Sequence, residues 1–165
     1  MTSRTAWTGG NLNSGLGWTS FFNAADLNSL PNNYCVLSSV TAIANGSALD
    51  MFMDVSFELA ISSNTIAAGA NLVLWLFGLN EDGTTYGDAS LVAGTQSANV
   101  PGLFPKLIMP LRAASSVTAL YGSNNDPLIV PPGTWLPVLQ NNSGFTLSAS
   151  GNAGKFRSYN INLNN

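Results

Sequence analysis

Histidine is absent from this 165-residue chain, and Lys, Arg, Asp and Glu together make up only 8% of it. The first absence excludes Ser-His-Asp and Cys-His catalysis and most zinc sites, because His is the usual general base near neutral pH and the commonest neutral metal ligand. The second is far below the roughly 25% of an average globular protein. The solvent face must therefore be built from Asn, Ser, Thr, Gly and Gln, a surface that charge repulsion protects poorly against association. A single cysteine, Cys35, excludes an intrachain disulfide. Its apolar setting, Tyr34-Cys-Val-Leu37, marks a buried thiol rather than a nucleophile.

Basic residues are equally scarce. Arg4, Lys106, Arg112, Lys155 and Arg157 are all there are, and the net charge is −3. They cannot form the stripe that neutralises a run of phosphates, so no nucleic-acid partner is expected. No block of like charge points to an anionic membrane, and the most apolar window, Asn71 to Leu79, is too short to cross a bilayer. The first residues lack the apolar core of a secretory leader, so assembly in a cytosol is expected.

What the chain does have is a 45% apolar fraction, enough for one core. Residues 1–33 are rich in Gly, Asn and Ser, with isolated apolar side chains and no sustained period. They read as an extended N-terminal arm whose anchors Trp7, Trp18, Phe21, Phe22, Leu27 and Leu30 dock on a neighbouring molecule. Residues 21–30 have room for one or two helical turns capped by Asn23 or Asp26.

Residues 34–165 carry the β signal. Met51, Met53, Val55, Phe57, Leu59 and Ile61 alternate with Asp50, Phe52, Asp54, Ser56, Glu58 and Ala60, the period of a strand with one buried face. With the run before Asn45-Gly46, this predicts an antiparallel pair over 36–44 and 50–61. Residues 72–79 are apolar on both faces, so both should be covered. Shorter strands are expected at 90–93, 106–111 and 117–120. Further strands are expected at 135–140, with Pro137 at an edge or bulge, at 145–149 after an Asn141–Gly144 turn, and near the end of the chain. About eight strands without a long helix predict an all-β antiparallel sandwich or barrel.

No constellation of catalytic groups emerges. Asp50, Asp54 and Glu58 share a strand face but stand roughly 13 Å apart, against the about 5 Å of a retaining carboxylate pair. A solvated face or an ion-pair ladder to Lys155 and Arg157 is the simpler reading. Glu81, Asp82 and Asp88 lie in one oxygen-rich loop but match no calcium-loop spacing. Trp7, Trp18, Trp75 and Trp135 could serve as sugar platforms, yet Trp75 sits in a core-like run, and an arm holds Trp7 and Trp18 poorly. No enzyme activity, cofactor or metal is expected.

Residues 129–152 (Ile-Val-Pro-Pro-Gly-Thr-Trp-Leu-Pro-Val-Leu-Gln-Asn-Asn-Ser-Gly-Phe-Thr-Leu-Ser-Ala-Ser-Gly-Asn), residues 64–72 (Asn-Thr-Ile-Ala-Ala-Gly-Ala-Asn-Leu) and the arm give the chain its resemblance to the cement, or decoration, proteins on the heads of short-tailed bacteriophages. That resemblance implies a jelly-roll domain that self-associates, as a dimer ahead of a trimer. It also implies binding to the major capsid protein from outside and bracing of neighbouring capsomers on the virion surface. The family has no catalytic residues to carry over. The competing expectation is a carbohydrate-binding or fibre-tip β-sandwich module.

Overall fold

The computed structural model describes residues 4–12, 17–40, 42–81, 85–87, 94–102 and 104–164. Twelve strands and two single helical turns are described. They are β1 (Arg4–Gly9), β2 (Thr19–Phe22), α1 (Ala24–Leu27), β3 (Cys35–Leu37), β4 (Ile43–Ala44), α2 (Asn45–Ala48), β5 (Phe52–Ile66), β6 (Asn71–Gly78), β7 (Gln96–Ser97), β8 (Leu107–Pro110), β9 (Ala114–Ser123), β10 (Leu128–Ile129), β11 (Thr134–Asn142) and β12 (Ala153–Asn164). The expected strand at 90–93 lies outside the described residues.

All pairings between these strands are antiparallel, and they form two six-stranded sheets. In the first, β12 lies between β5 on one side and β1 and β2, end to end, on the other. β5 in turn pairs with β9 and β10. In the second, β11 is central, flanked by β6 with β8 beyond it, and by β3 and β4 with β7 beyond β3. The eight principal strands pair as a nested set: β2 with β12, β3 with β11, β5 with β9, and β6 with β8. First meets last and second meets second-to-last, with successive pairs in alternate sheets, which is the topology of a jelly roll.

The two inner faces bury one core. Met53, Val55, Phe57, Leu59 and Ile61 of β5 point into it, as their spacing requires, and meet Leu72 and Leu74 of β6, Leu139 of β11 and Met109 of β8. β6 is apolar on both faces because both are covered. Its other face carries Val73, Trp75 and Phe77, which form a second cluster with Cys35, Leu37, Leu136 and Val138, with Ala42 and Tyr86 packed against it.

Three sequence expectations are corrected. Residues 36–44 and 50–61 do not form a hairpin. β3 and β4 pair with β11 in the second sheet, while β5 lies in the first. Residues 143–152 are not a strand after a hairpin turn. They carry the chain from β11 to β12 in the opposite sheet. Pro137 is not at an edge but in central β11. Its carbonyl accepts from Ser38 N–H at 3.0 Å, so its nitrogen faces the same side. There β3 has ended at Leu37 and β4 begins only at Ile43, and the missing donor removes no ladder bond.

The N-terminal region is the largest departure. β1 pairs with β12 over six registered positions, Arg4↔Asn164 to Gly9↔Tyr159. β2 pairs with the earlier part of β12 across a bulge at Gly154/Lys155. Phe21, Phe22, Leu27 and Leu30 are all at most 2% exposed and belong to the protein's own core. The Phe21 ring meets Phe22, Phe57 and Phe156 with centroids 5.0, 5.4 and 5.7 Å apart. Gly154 makes room for this cluster, since a Cβ there would lie 2.8 Å from the Phe57 ring. The described part of residues 1–33 is thus sewn into the sandwich rather than extended from it.

Candidate functional site

Two kinds of surface stand out, one apolar and one mixed. The apolar surface is organised by a buried asparagine. Asn45 opens α2 and is fully buried. Its Nδ2 donates to the carbonyls of Asp50 at 2.9 Å, Val130 at 3.1 Å and Pro131 at 3.2 Å, and its Oδ1 accepts from Asp50 N–H at 2.8 Å. This ties the turn before β5 to the segment after β10. The two meet in a groove lined by Leu49, Met51, Phe52, Ile129, Pro131 and Pro132. Leu49, Met51 and Ile129 are 58%, 52% and 65% exposed. Leu49 also holds a left-handed backbone, φ 52° and ψ 36°, a conformation that favours Gly or Asn and costs an ordinary side chain about 1–2 kcal/mol. An exposed leucine in a strained turn marks this groove as a candidate contact surface.

Asp50 sits beneath this groove and is buried, not on the outer strand face. Its Oδ1 accepts from Asn11 N–H at 2.8 Å and Asn160 Nδ2 at 2.9 Å, and its Oδ2 from Leu12 N–H at 2.9 Å. Burial pushes its pKa up, but the hydrogen bonds from Ser158, Asn11, Leu12 and Asn160 outweigh that and hold it below the ordinary 3.8. It is a structural carboxylate that pins residues 11 and 12 to β12. Gly10 beside it admits no side chain, because a Cβ would collide with Ser158 and Asp50.

A second apolar exposure lies at the edge of the other sheet, where Ile108 of β8 is 55% exposed and Phe104, in the connection leading to β8, 98%.

The mixed surface is the outer face of the first sheet. β12 and β5 present the cross-strand pairs Ala153↔Glu58, Lys155↔Ser56, Arg157↔Asp54 and Tyr159↔Phe52. Of the expected ion-pair ladder, only Arg157–Asp54 is seen among the described residues, at 2.9 Å. Asp54 also accepts from Tyr159 Oη at 2.9 Å. Burial and this carboxylate push the Tyr159 hydroxyl up to about 12. Arg157 lies over the indole of Trp18, 5.0 Å from the ring centroid.

Of the six expected arm anchors, Trp18 alone is described as surface-exposed. Phe21, Phe22, Leu27 and Leu30 are core, and the Trp7 side chain lies outside the described residues, although its backbone pairs with Ile161. Trp75 is buried and Trp135 packs on the core. Asp82 and Asp88 of the oxygen-rich loop are likewise outside the described residues. Among the described ones, no group of three or more His, Cys, Asp or Glu could hold a metal, and no helix is long and apolar enough to cross a membrane. No family model, curated protein or solved structure matches the chain.

Proposed function

We propose that this jelly roll is a structural component of a virion that docks on the outside of a phage capsid and braces neighbouring subunits of the major capsid protein. The observation that carries the reading is the pair of exposed apolar surfaces on edges of different sheets, Leu49-Met51-Ile129 on one and Phe104-Ile108 on the other. Two separated contacts on one rigid body suit a molecule that bridges neighbours, because engaging the first raises the effective concentration of the second. The scarcity of charge supports the same reading, since few ions must be desolvated when such a surface is buried. The sequence resemblance at residues 64–72 and 129–152 supplies the partner. Docking rests on these edge surfaces, with Phe21, Phe22, Leu27 and Leu30 assigned to the core.

Cosedimentation with phage heads lacking the protein tests this. The double variant Met51→Ser, Ile129→Ser should stay folded by circular dichroism and lose at least about tenfold in affinity, because two apolar anchors become polar. Phe104→Ser should weaken binding on its own. Unchanged binding in all of these variants would overturn the reading.

A further inference from the structure

The outer face of the first sheet holds a cleft of about 240 Å³ lined by Trp18, Ser56, Glu58, Ala153 and Lys155. We propose that it is a saccharide site for one neutral pyranose ring of a longer glycan, stacked on the Trp18 indole.

Several features of the cleft carry this. Trp18 is 43% exposed, but it is not a loose ring. Arg157 lies against it at 5.0 Å, Arg157 Nε donates to Asp54 Oδ2 at 2.9 Å, and Asp54 accepts from Tyr159 Oη at 2.9 Å. The aromatic wall is therefore held in place before any ligand arrives, which reduces the ordering cost of binding. The electron-rich face of an aromatic ring attracts the polarised C–H face of a pyranose.

The floor supplies what the hydroxyls need. Glu58 offers acceptor oxygens, Lys155 three donors and Ser56 a hydroxyl of both kinds. Among the described residues neither Glu58 nor Lys155 forms an ion pair. Their charges oppose one another within the same cleft, which selects against phosphate and other anions. Ala153, directly across from Glu58, keeps the floor low where a larger side chain would fill it. The volume lies just below the range for drug-sized ligands, as befits one sugar ring.

The face also has a continuation. Tyr121 of β9 is the cross-strand partner of Glu58 on the side away from Ala153, and it is 68% exposed. Trp18 directly precedes β2, and β2 and β9, which carries Tyr121, are three strand steps apart, roughly 14 Å at about 4.8 Å per step. A second aromatic platform at that distance suits a further residue of the same oligosaccharide. This surface is distinct from the apolar groove at Leu49 and Ile129, so the saccharide site stands or falls independently of capsid docking.

The test uses an immobilised array of neutral and anionic glycans, followed by tryptophan fluorescence titration of the neutral oligosaccharides that bind. Wild-type protein is expected to bind at least one neutral glycan. Trp18→Ala should lower that affinity by at least tenfold, Glu58→Gln should lower it several-fold, and Ile129→Ser should leave it unchanged. Glu58 is exposed and outside any ion pair among the described residues, so Glu58→Gln reports on binding even if Trp18→Ala perturbs β2. Silence across the array, preference for anionic glycans, or neutral-glycan binding that survives both cleft substitutions would each overturn the proposal.

Discussion

At the residue scale, the asparagines do work that composition assigned to the solvent face. Asn45, Asn141 and Asn152 are buried, and each ties a connection between strands. Asn141 Nδ2 donates to the carbonyls of Leu30 at 3.0 Å and Phe145 at 2.7 Å. Asn152 Oδ1 accepts from Ala60 N–H at 3.0 Å, and its Nδ2 reaches Ser148 O and Asn28 Oδ1. An amide carries donors and an acceptor without charge, so it satisfies buried backbone groups at lower desolvation cost than an ion. Like Asp26, Asp50 is a buried carboxylate. Its pKa is depressed in the folded state, so the stability it contributes is present above pH 3.8 and is lost as pH falls through the lower folded value. Asp50→Asn should cost about 2–4 kcal/mol in urea unfolding at pH 7, and it should flatten the loss of stability expected of the wild-type protein as pH falls below 3.8. Leu49→Asn should act in the opposite direction. It relieves the left-handed strain and raises stability by up to about 1 kcal/mol, while weakening capsid docking. A variant both less stable and fully competent to dock would refute the role given to that strained turn.

At the element scale, the N-terminal strands are where pattern reading failed, for a physical reason. β2 is four residues long, and the helical turn expected within 21–30 forms as α1, also four residues, with Asn23 at its N-cap. Neither is long enough to display a period, and the apolar residues among them look isolated in the sequence. Their partners are more than a hundred residues away, on β12. β5, by contrast, has fifteen residues with one face buried against a single core, and its alternation is readable from the order of its residues alone. The sequence places Trp18 on an arm, as an anchor for a neighbour rather than a fixed sugar platform. Trp18 is positioned by β2 and by Arg157, a contact that no local spacing encodes. Deleting residues 1–30 should therefore unfold the domain rather than leave it intact. Burying Phe21, Phe22, Leu27 and Leu30 contributes on the order of 10 kcal/mol, comparable with the whole stability of a typical domain. Near-ultraviolet circular dichroism of the truncated protein should show the loss of fixed aromatic packing, and a native spectrum would return these residues to the status of an arm.

At the scale of the whole molecule, low charge and two apolar edges predict how docking responds to its surroundings. Raising sodium chloride from 0.1 to 1 M should change the dissociation constant of the proposed capsid complex by less than about threefold, since screening acts on charges and few charges lie at these edges. A steep fall with salt would point to an electrostatic interface instead. The sequence by itself determined the class: strand-length alternation, turn chemistry and the lack of a long helical period leave an all-β sandwich, and the missing histidine removes the commonest catalytic designs. Only the tertiary structure decided which strands pair, that Asp50 is buried while Glu58 is not, and that Trp18 stands over a cleft. Periodicity reports which face of a strand meets a core. It is blind to which distant strand supplies the other side, and in a jelly roll, where first pairs with last, nearly every pairing is of that kind.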